Sequence, residues 1–137
     1  MNTIVIPGEP VGKQRPRVTR HGTYTPKKTK AYEDVVKLLY RHHYGENPSY
    51  EGAVALDITA VFSVPKSWSK RKREMALSGM VRPHKPDFDN IAKIISDALN
   101  GIAYKDDSQV YRCTVEKMYG EEPKVIVKVM FDENEVD

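Results

Sequence analysis

Four aspartates stand close together in the sequence, two on each side of a predicted helix. Asp87 and Asp89 precede the apolar stripe that begins at Ile91, and Asp106 and Asp107 follow the same helix after a short loop. Because the chain can return the second pair to the helix entrance, several carboxylates would repel one another there unless a divalent cation neutralised them. Mg²⁺ prefers hard oxygen ligands and usually keeps water molecules for substrate and nucleophile. The pattern predicts a magnesium site, with a self-solvating acidic surface as the alternative.

The helix entrance also allows a simpler interpretation of one aspartate. Pro86 disfavours helix at the residue before it and the apolar stripe begins only at Ile91, so Asp87 and Asp89 are expected at the helix entrance, in extended chain. Side chains two residues apart in extended chain point to the same side. Either residue could instead be the N-cap of the helix, which is a common role for aspartate. A cap accounts for one carboxylate and leaves the other, together with the later pair, without a structural explanation.

Lys93 adds a positive charge to this acidic segment. It lies four residues after Asp89 and off the apolar face of the helix, on the same side as Asn90 and Asp97. A lysine beside a metal–carboxylate site can hold a phosphate, or stabilise the charge that develops when a phosphodiester is attacked. The alternative is a solvated helix lysine paired with Asp89 or Asp97 at i,i±4 spacing. Because the aspartates lie so near, we favour the functional interpretation.

A longer string is more specific than an Asp-x-Asp pair, which metal-using transferases also carry. Residues 85–110 contain Lys-Pro-Asp-x-Asp-Asn-x-x-Lys-x-x-x-Asp-Ala-Leu-Asn-Gly, followed by Asp-Asp-x-Gln-Val. Over this segment, and more loosely over nearly the whole chain, the sequence resembles the RusA family of Holliday junction resolvases, which is common in phages and prophages.

The resemblance implies roles for individual residues and for the assembly. It implies that Asp87, Asp89 and Asp107 bind the metal ion, with Asp106 as the alternate for Asp107, and that Lys93 is catalytic. It also implies a RusA-like fold and a symmetric homodimer that cuts four-way DNA junctions by paired nicks in Mg²⁺ or Mn²⁺. All these acidic and basic positions are intact, so we expect an active crossover junction endodeoxyribonuclease of DNA recombination and repair.

Two basic clusters would give such an enzyme a surface for DNA. The net charge of the chain is +3, and without the four acids of the tail at 132–137 it would be +7. Such an excess favours polyanionic partners, although runs of charge are usually only solvated faces. Pro16 would hold Arg15 and Arg17 out as an extended pair, and arginine suits phosphate. The residues predicted to contact DNA are Lys13, Arg15, Arg17, Arg20, Lys27, Lys28, Lys70, Arg71, Lys72 and Arg73.

Hydrophobic periodicity and turn residues predict the elements that must position these side chains. A helix is predicted from Pro26 to about Tyr44, with Thr25 as its N-cap. Its apolar positions at helical spacing are Ala31, Val35, Leu38 and Leu39. Shorter helices are predicted over 67–78 and 90–100. Strands are predicted at 3–6, 53–64, 109–119 and 124–131, the last two joined as a hairpin, with a loop or irregular hairpin over 8–25.

This order of elements predicts an α+β fold, with one domain over residues 1–137 and a mixed β-sheet flanked by helices. Hydrophobic residues make up 39% of the chain, which is enough to form a core without disulfides or structural metal. Cys113 is the only cysteine, which fits a reducing compartment. No long apolar run or signal-peptide pattern is evident, so we expect a cytoplasmic protein with no membrane partner.

Two other functions stay open at this point. A junction- or single-strand-binding module without chemistry would use the acids only to cap and solvate. Its binding would be sensitive to salt, and no divalent ion would convert that binding to cleavage. A transferase of the Asp-x-Asp type is disfavoured by the short chain and by the absence of an evident nucleotide-binding βαβ unit.

Overall fold

The computed structural model describes residues 1–24 and 26–132, and it confirms the α+β class. Its strands are β1 Asn2–Pro7, β2 Arg17–Thr19, β3 Gly22–Tyr24, β4 Val54–Ser63, β5 Val110–Gly120 and β6 Lys124–Phe131. Its helices are α1 Lys27–Tyr44, α2 Lys70–Leu77 and α3 Phe88–Leu99, and a 3₁₀ turn spans Asp107–Gln109. The predicted N-cap Thr25 and residues 133–137 of the acidic tail lie outside the described residues. None of the described helices has the length and hydropathy to cross a membrane.

Four strands form one mixed sheet in the order β1–β6–β4–β5. β4 pairs in parallel with β5 and antiparallel with β6, and β1 joins the far edge antiparallel to β6. The predicted hairpin of the last two strands is therefore wrong, because β4 lies between them. The separate β2–β3 pair confirms an irregular hairpin in the segment before α1.

β4 takes an inner position because it has the most apolar surface to bury. Seven of its ten residues are buried, whereas β5 has no buried residue and forms an edge of the sheet. Its residues that face the helices are all apolar and buried, whereas Asp57, Thr59 and Ser63 on the other face keep some exposure. The last residue of β5 passes close to β4: a Cβ added at Gly120 would lie 2.5 Å from Cγ1 of Val61. A larger residue at this position would have to displace the Val61 side chain.

The apolar face of α3 closes the core against the sheet and α1. Its buried residues are those that the sequence predicts, namely Ile91, Ile94, Ile95, Ala98 and Leu99. They join alternate residues of β4 and β6 in one cluster. Because this packing fixes α3 beside the edge strand β5, the first turn of the helix is held at the margin of the sheet.

The buried face of α1 differs from the predicted one. Of the predicted stripe only Leu39 is partly buried, and the exposed members are Ala31, Val35 and Leu38. The helix instead buries Thr29, Val36 and Tyr40. Counting aliphatic residues alone misplaces this face, because a tyrosine can bury its ring while its hydroxyl keeps a polar partner. The hydroxyl of Tyr40 accepts a hydrogen bond from Nδ2 of Asn2 at 2.9 Å.

The two shorter helices begin at different places from those predicted. α2 begins at Lys70 rather than Ser67, because the Ser69 side chain caps it and accepts a hydrogen bond from the Lys72 N at 3.2 Å. α3 begins at Phe88, two residues before the predicted start at 90. Because of this earlier start, Asp89 lies inside the helix and Asp87 does not.

Candidate active site

The start of α3 separates Asp87 from Asp89. Asp87 is the N-cap residue, with extended backbone (φ −63°, ψ 148°), but its side chain makes no capping hydrogen bond. Asp89 lies in the first helical turn, where its Oδ1 accepts a hydrogen bond from the Asn90 N at 3.0 Å. The expectation that both residues lie in extended chain is therefore wrong for Asp89, because the helix begins between the two aspartates. The N-cap alternative does not account for the Asp87 carboxylate either.

Asp87 lines a polar cleft of about 450 Å³, which also borders the segment after β1. We call it the basic cleft, because its polar lining includes Gln14, Lys28, Lys85 and Asn90 beside Asp87. The backbone N of Lys13 donates to the carbonyl of Asn90 at 2.8 Å, which ties the segment after β1 to α3. A cleft with two exposed lysines beside a carboxylate can balance the charge of a phosphodiester.

Asp89 and Asp107 line a second cleft of about 350 Å³, which α3 and the edge strand β5 help to form. Lys93 lines it as well. We call it the apolar cleft, because the rest of its lining is mainly Leu56, Phe88, Ala92, Val110, Cys113 and Val115. The structure therefore brings Asp89, Lys93 and Asp107 together and places Asp87 in the neighbouring basic cleft.

The loop after α3 is held in place by two side chains, and this positions Asp107. The hydroxyl of the fully buried Tyr104 donates to the carbonyl of Ser96 at 2.8 Å. Gln109 Nε2 donates to the carbonyl of Tyr50 at 2.8 Å, on the far side of the loop. The loop therefore returns the acidic pair to α3, as the sequence predicts.

The two members of that pair have different partners. Asp106 accepts hydrogen bonds from the backbone N of Ser108 at 3.2 Å and from the Ser108 hydroxyl, and Gln109 completes a capping box. The bond from the Ser108 hydroxyl is the main cause that lowers the pKa of Asp106 below its usual range. Asp107 forms no ion pair within the described part of the chain. Its carboxylate lines the apolar cleft, whereas that of Asp106 caps the 3₁₀ turn.

The acidic side chains do not form a ready-made metal site. Within residues 1–24 and 26–132, no three His, Cys, Asp or Glu side chains are grouped so as to hold a metal ion. Asp89 and Asp107 share a cleft, but Asp87 lines the next one. All three are at least partly exposed, and none forms an ion pair in these ranges. Their hard, unpaired oxygen donors fit a divalent cation, although their present arrangement is not a closed coordination shell.

An ion-pair network continues from Lys93 along α3. Lys93 Nζ lies 3.2 Å from Asp97 Oδ1, and Lys13 Nζ lies 3.2 Å from Asp97 Oδ2. Lys13 Nζ also lies 3.0 Å from Glu33 Oε2 on α1. Burial acts to lower the pKa of Lys13, but the hydrogen bonds and charges of Glu33 and Asp97 outweigh burial and raise it. The Lys13 ammonium, which was expected to contact DNA, is thus engaged by two carboxylates.

Most of the other basic residues predicted to contact DNA are exposed. The exposed ones are Arg15, Arg17, Arg20, Lys27, Lys28, Lys70, Arg71 and Lys72, and Arg73 is partly buried. Lys72 Nζ lies 3.9 Å from the ring centroid of Trp68, which itself packs against Tyr119 at 5.3 Å between centroids. Their contact with DNA remains a prediction.

Three residues that line or pair with the site are absent from the predicted set. Lys85 lines the basic cleft, and Glu33 holds Lys13 from α1. Asp97 contacts both Lys13 and Lys93. The available signal for Lys85 and Asp97 was their place in the string that begins Lys-Pro-Asp. Glu33 has no comparable signal, because its partner comes from a segment that no local spacing connects to α1.

Two comparisons with known proteins bear on this site. The family model described as Endodeoxyribonuclease RusA matches residues 7–130. The uncharacterized protein YqaN of Bacillus subtilis (strain 168) is 43% identical over 133 residues, which cover 92% of this chain and 93% of that protein. The family match contains every residue that lines the two clefts.

Proposed function

Because the chain belongs to the RusA family of endodeoxyribonucleases, we propose that it resolves four-way DNA junctions by paired, symmetric nicks. The observation that supports this most is the meeting of Asp89, Lys93 and Asp107 in one cleft, beside the cleft of Asp87. Phosphodiester hydrolysis uses both kinds of group, since oxygen ligands hold a cation and a lysine balances the phosphate.

The proposed cofactor is Mg²⁺, with Mn²⁺ able to replace it. Asp89 and Asp107 would hold the ion from the apolar cleft, and Asp87 from the N-cap of α3. When bound, the ion supplies activation of a water molecule and stabilisation of the leaving 3′-oxygen. Asp107 is favoured over Asp106, because the carboxylate of Asp106 is already used by the cap of the 3₁₀ turn.

The lysines of the two clefts would handle the phosphates. Lys93 is 58% exposed in its side chain and lines the apolar cleft, so its ammonium can balance the charge that builds on the attacked phosphate. Lys28 and Lys85 line the basic cleft and would bind a neighbouring phosphate of the same strand. The scissile bond would then lie between the two clefts, at the start of α3.

The symmetry of the substrate calls for two copies of the chain. A four-way junction has near two-fold symmetry, so a C2 homodimer would present one site to each of two opposed strands. The exposed bases of the segment before α1 and of α2 would hold the arms by phosphate contacts. Such contacts recognise the shape of the junction before its sequence.

Cleavage of a labelled four-way junction and of a matching linear duplex, each with Mg²⁺ or EDTA, tests this function. We expect paired nicks in the junction, none in the duplex, and none in EDTA. Asp34→Asn is a matched control, since it removes an exposed α1 carboxylate that pairs with Lys30 at 3.6 Å. It should cut as the unmodified protein does. Equal cutting of the linear duplex would contradict junction selectivity, and cutting in EDTA would contradict the metal requirement.

A junction-binding module without chemistry is the second candidate. One observation favours it: the acidic side chains of the described residues form no group of three around a metal position. Such a module would bind the junction tightly, with a strong dependence on salt, and would leave it uncut in Mg²⁺ and Mn²⁺. The same labelled substrates distinguish the two functions.

A further inference from the structure

Asp97 joins two lysines that come from different parts of the chain. Its Oδ1 lies 3.2 Å from Nζ of Lys93, one turn earlier on α3, and its Oδ2 lies 3.2 Å from Nζ of Lys13. Lys13 Nζ lies in turn 3.0 Å from Oε2 of Glu33 on α1. Two positive and two negative charges are thus balanced in one network, which links α1, α3 and the segment after β1.

We propose that Asp97 is a positioning residue, which orders the Lys93 ammonium in the apolar cleft beside Asp89 and Asp107. The inference rests on the proposed function, in which the Lys93 ammonium balances the charge on the attacked phosphate. Asp97 lines neither cleft and contacts two lysines, so its role is distinct from that proposed for the metal-binding aspartates.

The support that Asp97 receives from Lys13 makes its pair with Lys93 more than a surface contact. An exposed ion pair holds its lysine loosely, since both side chains move in water. Asp97 exposes only 21% of its side chain and Lys13 only 20%. The backbone N of Lys13 also donates to the carbonyl of Asn90 on α3 at 2.8 Å. Asp97 is therefore held through its second carboxylate oxygen by a lysine whose own backbone is bonded to α3.

The same helical spacing occurs on α1 without such support. Lys30 and Asp34 are also a lysine and an aspartate at i,i+4, in the same order along the helix. Their Nζ–Oδ2 distance is 3.6 Å, and their side chains are 70% and 55% exposed. Asp34 therefore provides a matched control for Asp97, with equal spacing and charge but without the network.

Loss of Asp97 would release Lys93 toward a carboxylate that the reaction needs. Asp89 lies four residues before Lys93 and lines the same cleft, so it is within reach as an alternative partner. A Lys93 turned toward Asp89 would no longer be available to the phosphate. The rate of cutting would fall, whereas the affinity for the junction arms would not.

Single-turnover cleavage of the four-way junction compares Asp97→Asn with Asp34→Asn. Asp97→Asn should lower the rate by about 10- to 100-fold, as expected for a lost supporting contact. Its junction affinity in Ca²⁺ should stay within about twofold of the unmodified value, because the contact acts on the reaction rather than on binding. Asp34→Asn should cut at the unmodified rate.

A double variant shows whether Asp97 acts through Lys93. Added to Lys93→Ala, Asp97→Asn should cause no further loss of the residual rate, because the group that it positions is already gone. A structural role for Asp97 would instead give an additional loss in the double variant. That additional loss, or an unmodified rate in Asp97→Asn alone, would overturn the inference.

A second readout does not depend on cutting. In ¹⁵N-resolved NMR of the lysine ammonium groups of the full chain without DNA, Asp97→Asn should shift the Lys93 and Lys13 signals, and Asp34→Asn should shift neither. If the unmodified protein cuts no junction, the proposed function fails, while this spectrum still decides whether Asp97 orders Lys93. A Lys93 signal that Asp97→Asn leaves in place would overturn the inference.

Glu33→Gln provides an independent variant should Asp97→Asn fail to fold. It leaves Asp97 and Lys93 intact and removes only the far end of the network. A shifted Lys93 signal with a rate lower by about two- to fivefold would support the inference, since the remaining contacts keep part of the order. Unmodified behaviour in both measurements would overturn it.

Discussion

Two acidic regions of the same helix differ in how their charge is balanced. At the start of α3, Asp87 and Asp89 are exposed and form no ion pair with any described residue. Two turns later, Asp97 is largely withdrawn from water and contacts two lysines. A carboxylate that loses hydration needs paired cations, whereas an exposed one keeps its water and stays available. Aspartate therefore has two different roles on this one helix.

This difference in charge balance predicts that the two regions contribute differently, the first to activity and the second to both activity and stability. The positive end of the α3 dipole favours negative charge at Asp87 and Asp89 even without a capping bond. These acids are therefore tolerated without a cationic partner among the described residues and remain available to an external cation. The Asp97 network instead holds three segments together. Variants of the first region should lose activity at little cost in stability, and variants of the second should lose part of both.

Asp87→Asn should give the largest effect, because it removes the charge that a cation would need and keeps the shape of the side chain. Cutting of the four-way junction in Mg²⁺ should fall by about 10²- to 10³-fold or more. The free energy of unfolding in urea should stay within about 1 kcal/mol, since only the interaction with the helix dipole is lost. Junction binding in EDTA should be nearly unchanged. Full activity would remove Asp87 from the proposed metal site.

The acidic pair after α3 should show the next largest difference. Asp107→Asn should lower the cleavage rate by about 100-fold, because its carboxylate lines the apolar cleft with Asp89. Asp106→Asn should affect the rate far less and lower the thermal midpoint instead, because its carboxylate caps the 3₁₀ turn. Rates and melting curves of the two variants are compared side by side. The reverse order of rates would make Asp106 the ligand.

Lys13→Met tests the second region through stability. It leaves Glu33 and Asp97 partly buried without their shared cation, so the free energy of unfolding in urea should fall by about 1 to 3 kcal/mol. Lys30→Met, which breaks the exposed pair with Asp34, should change it by less than about 0.5 kcal/mol. Equal losses in the two variants would contradict the difference in burial between the pairs.

The pH dependence of the Lys13 contribution follows from the sign of its shift. Folding raises the pKa of Lys13 above its ordinary value of 10.5. The folded state therefore binds this proton more tightly, and the stabilisation is complete below the ordinary value and lost as the pH rises through the raised one. The stability gap between the unmodified protein and Lys13→Met should be full at neutral pH and narrow only in strong alkali. A gap that narrows on acidification from neutral pH to pH 6 would contradict this assignment.

The sequence predicts α3 well and its first turn poorly, for one physical reason. Aliphatic residues fill its buried face, so the helical period is unambiguous from Ile91 onward. Phe88 and Asp89 belong to the helix but are exposed, so they add nothing to that period. The pattern therefore places the helix start two residues late. This small error matters for the site, because the extended conformation expected of both aspartates holds only for Asp87.

Longer-range features lie beyond what local patterns can show. The order of β4, β5 and β6 depends on which strand has the most apolar surface to bury, which is a property of the whole sheet. The buried face of α1 depends on Tyr40, whose polar tip disguises its apolar ring in a pattern of aliphatic residues. Lys13 stands in a basic run, but its partners Glu33 and Asp97 come from two helices. The role of a charged residue in such a run therefore depends on its neighbours in the folded structure, which the sequence does not show.

The smallest effect should come from cations outside both acidic regions. Arg15 and Arg17 are exposed and form no ion pair with any residue that the structure describes. Changing each to Gln should weaken junction binding a few-fold and reduce the slope of log K against log salt by about one for each lost phosphate contact. Arg41→Gln, whose guanidinium contacts Glu46, is the paired control and should leave the slope unchanged.

The cleavage rate at saturating protein shows whether these two arginines affect only the affinity for the junction or also the cleavage step. Arg15 and Arg17 should alter only affinity, since they line neither cleft. Single-turnover cleavage with all junction bound should therefore proceed at the unmodified rate in both variants. A slower bound complex would mean that an unpaired cation also contributes to the reaction. In that case, the presence or absence of an ion-pair partner would no longer distinguish the charges that support the site from those that bind DNA.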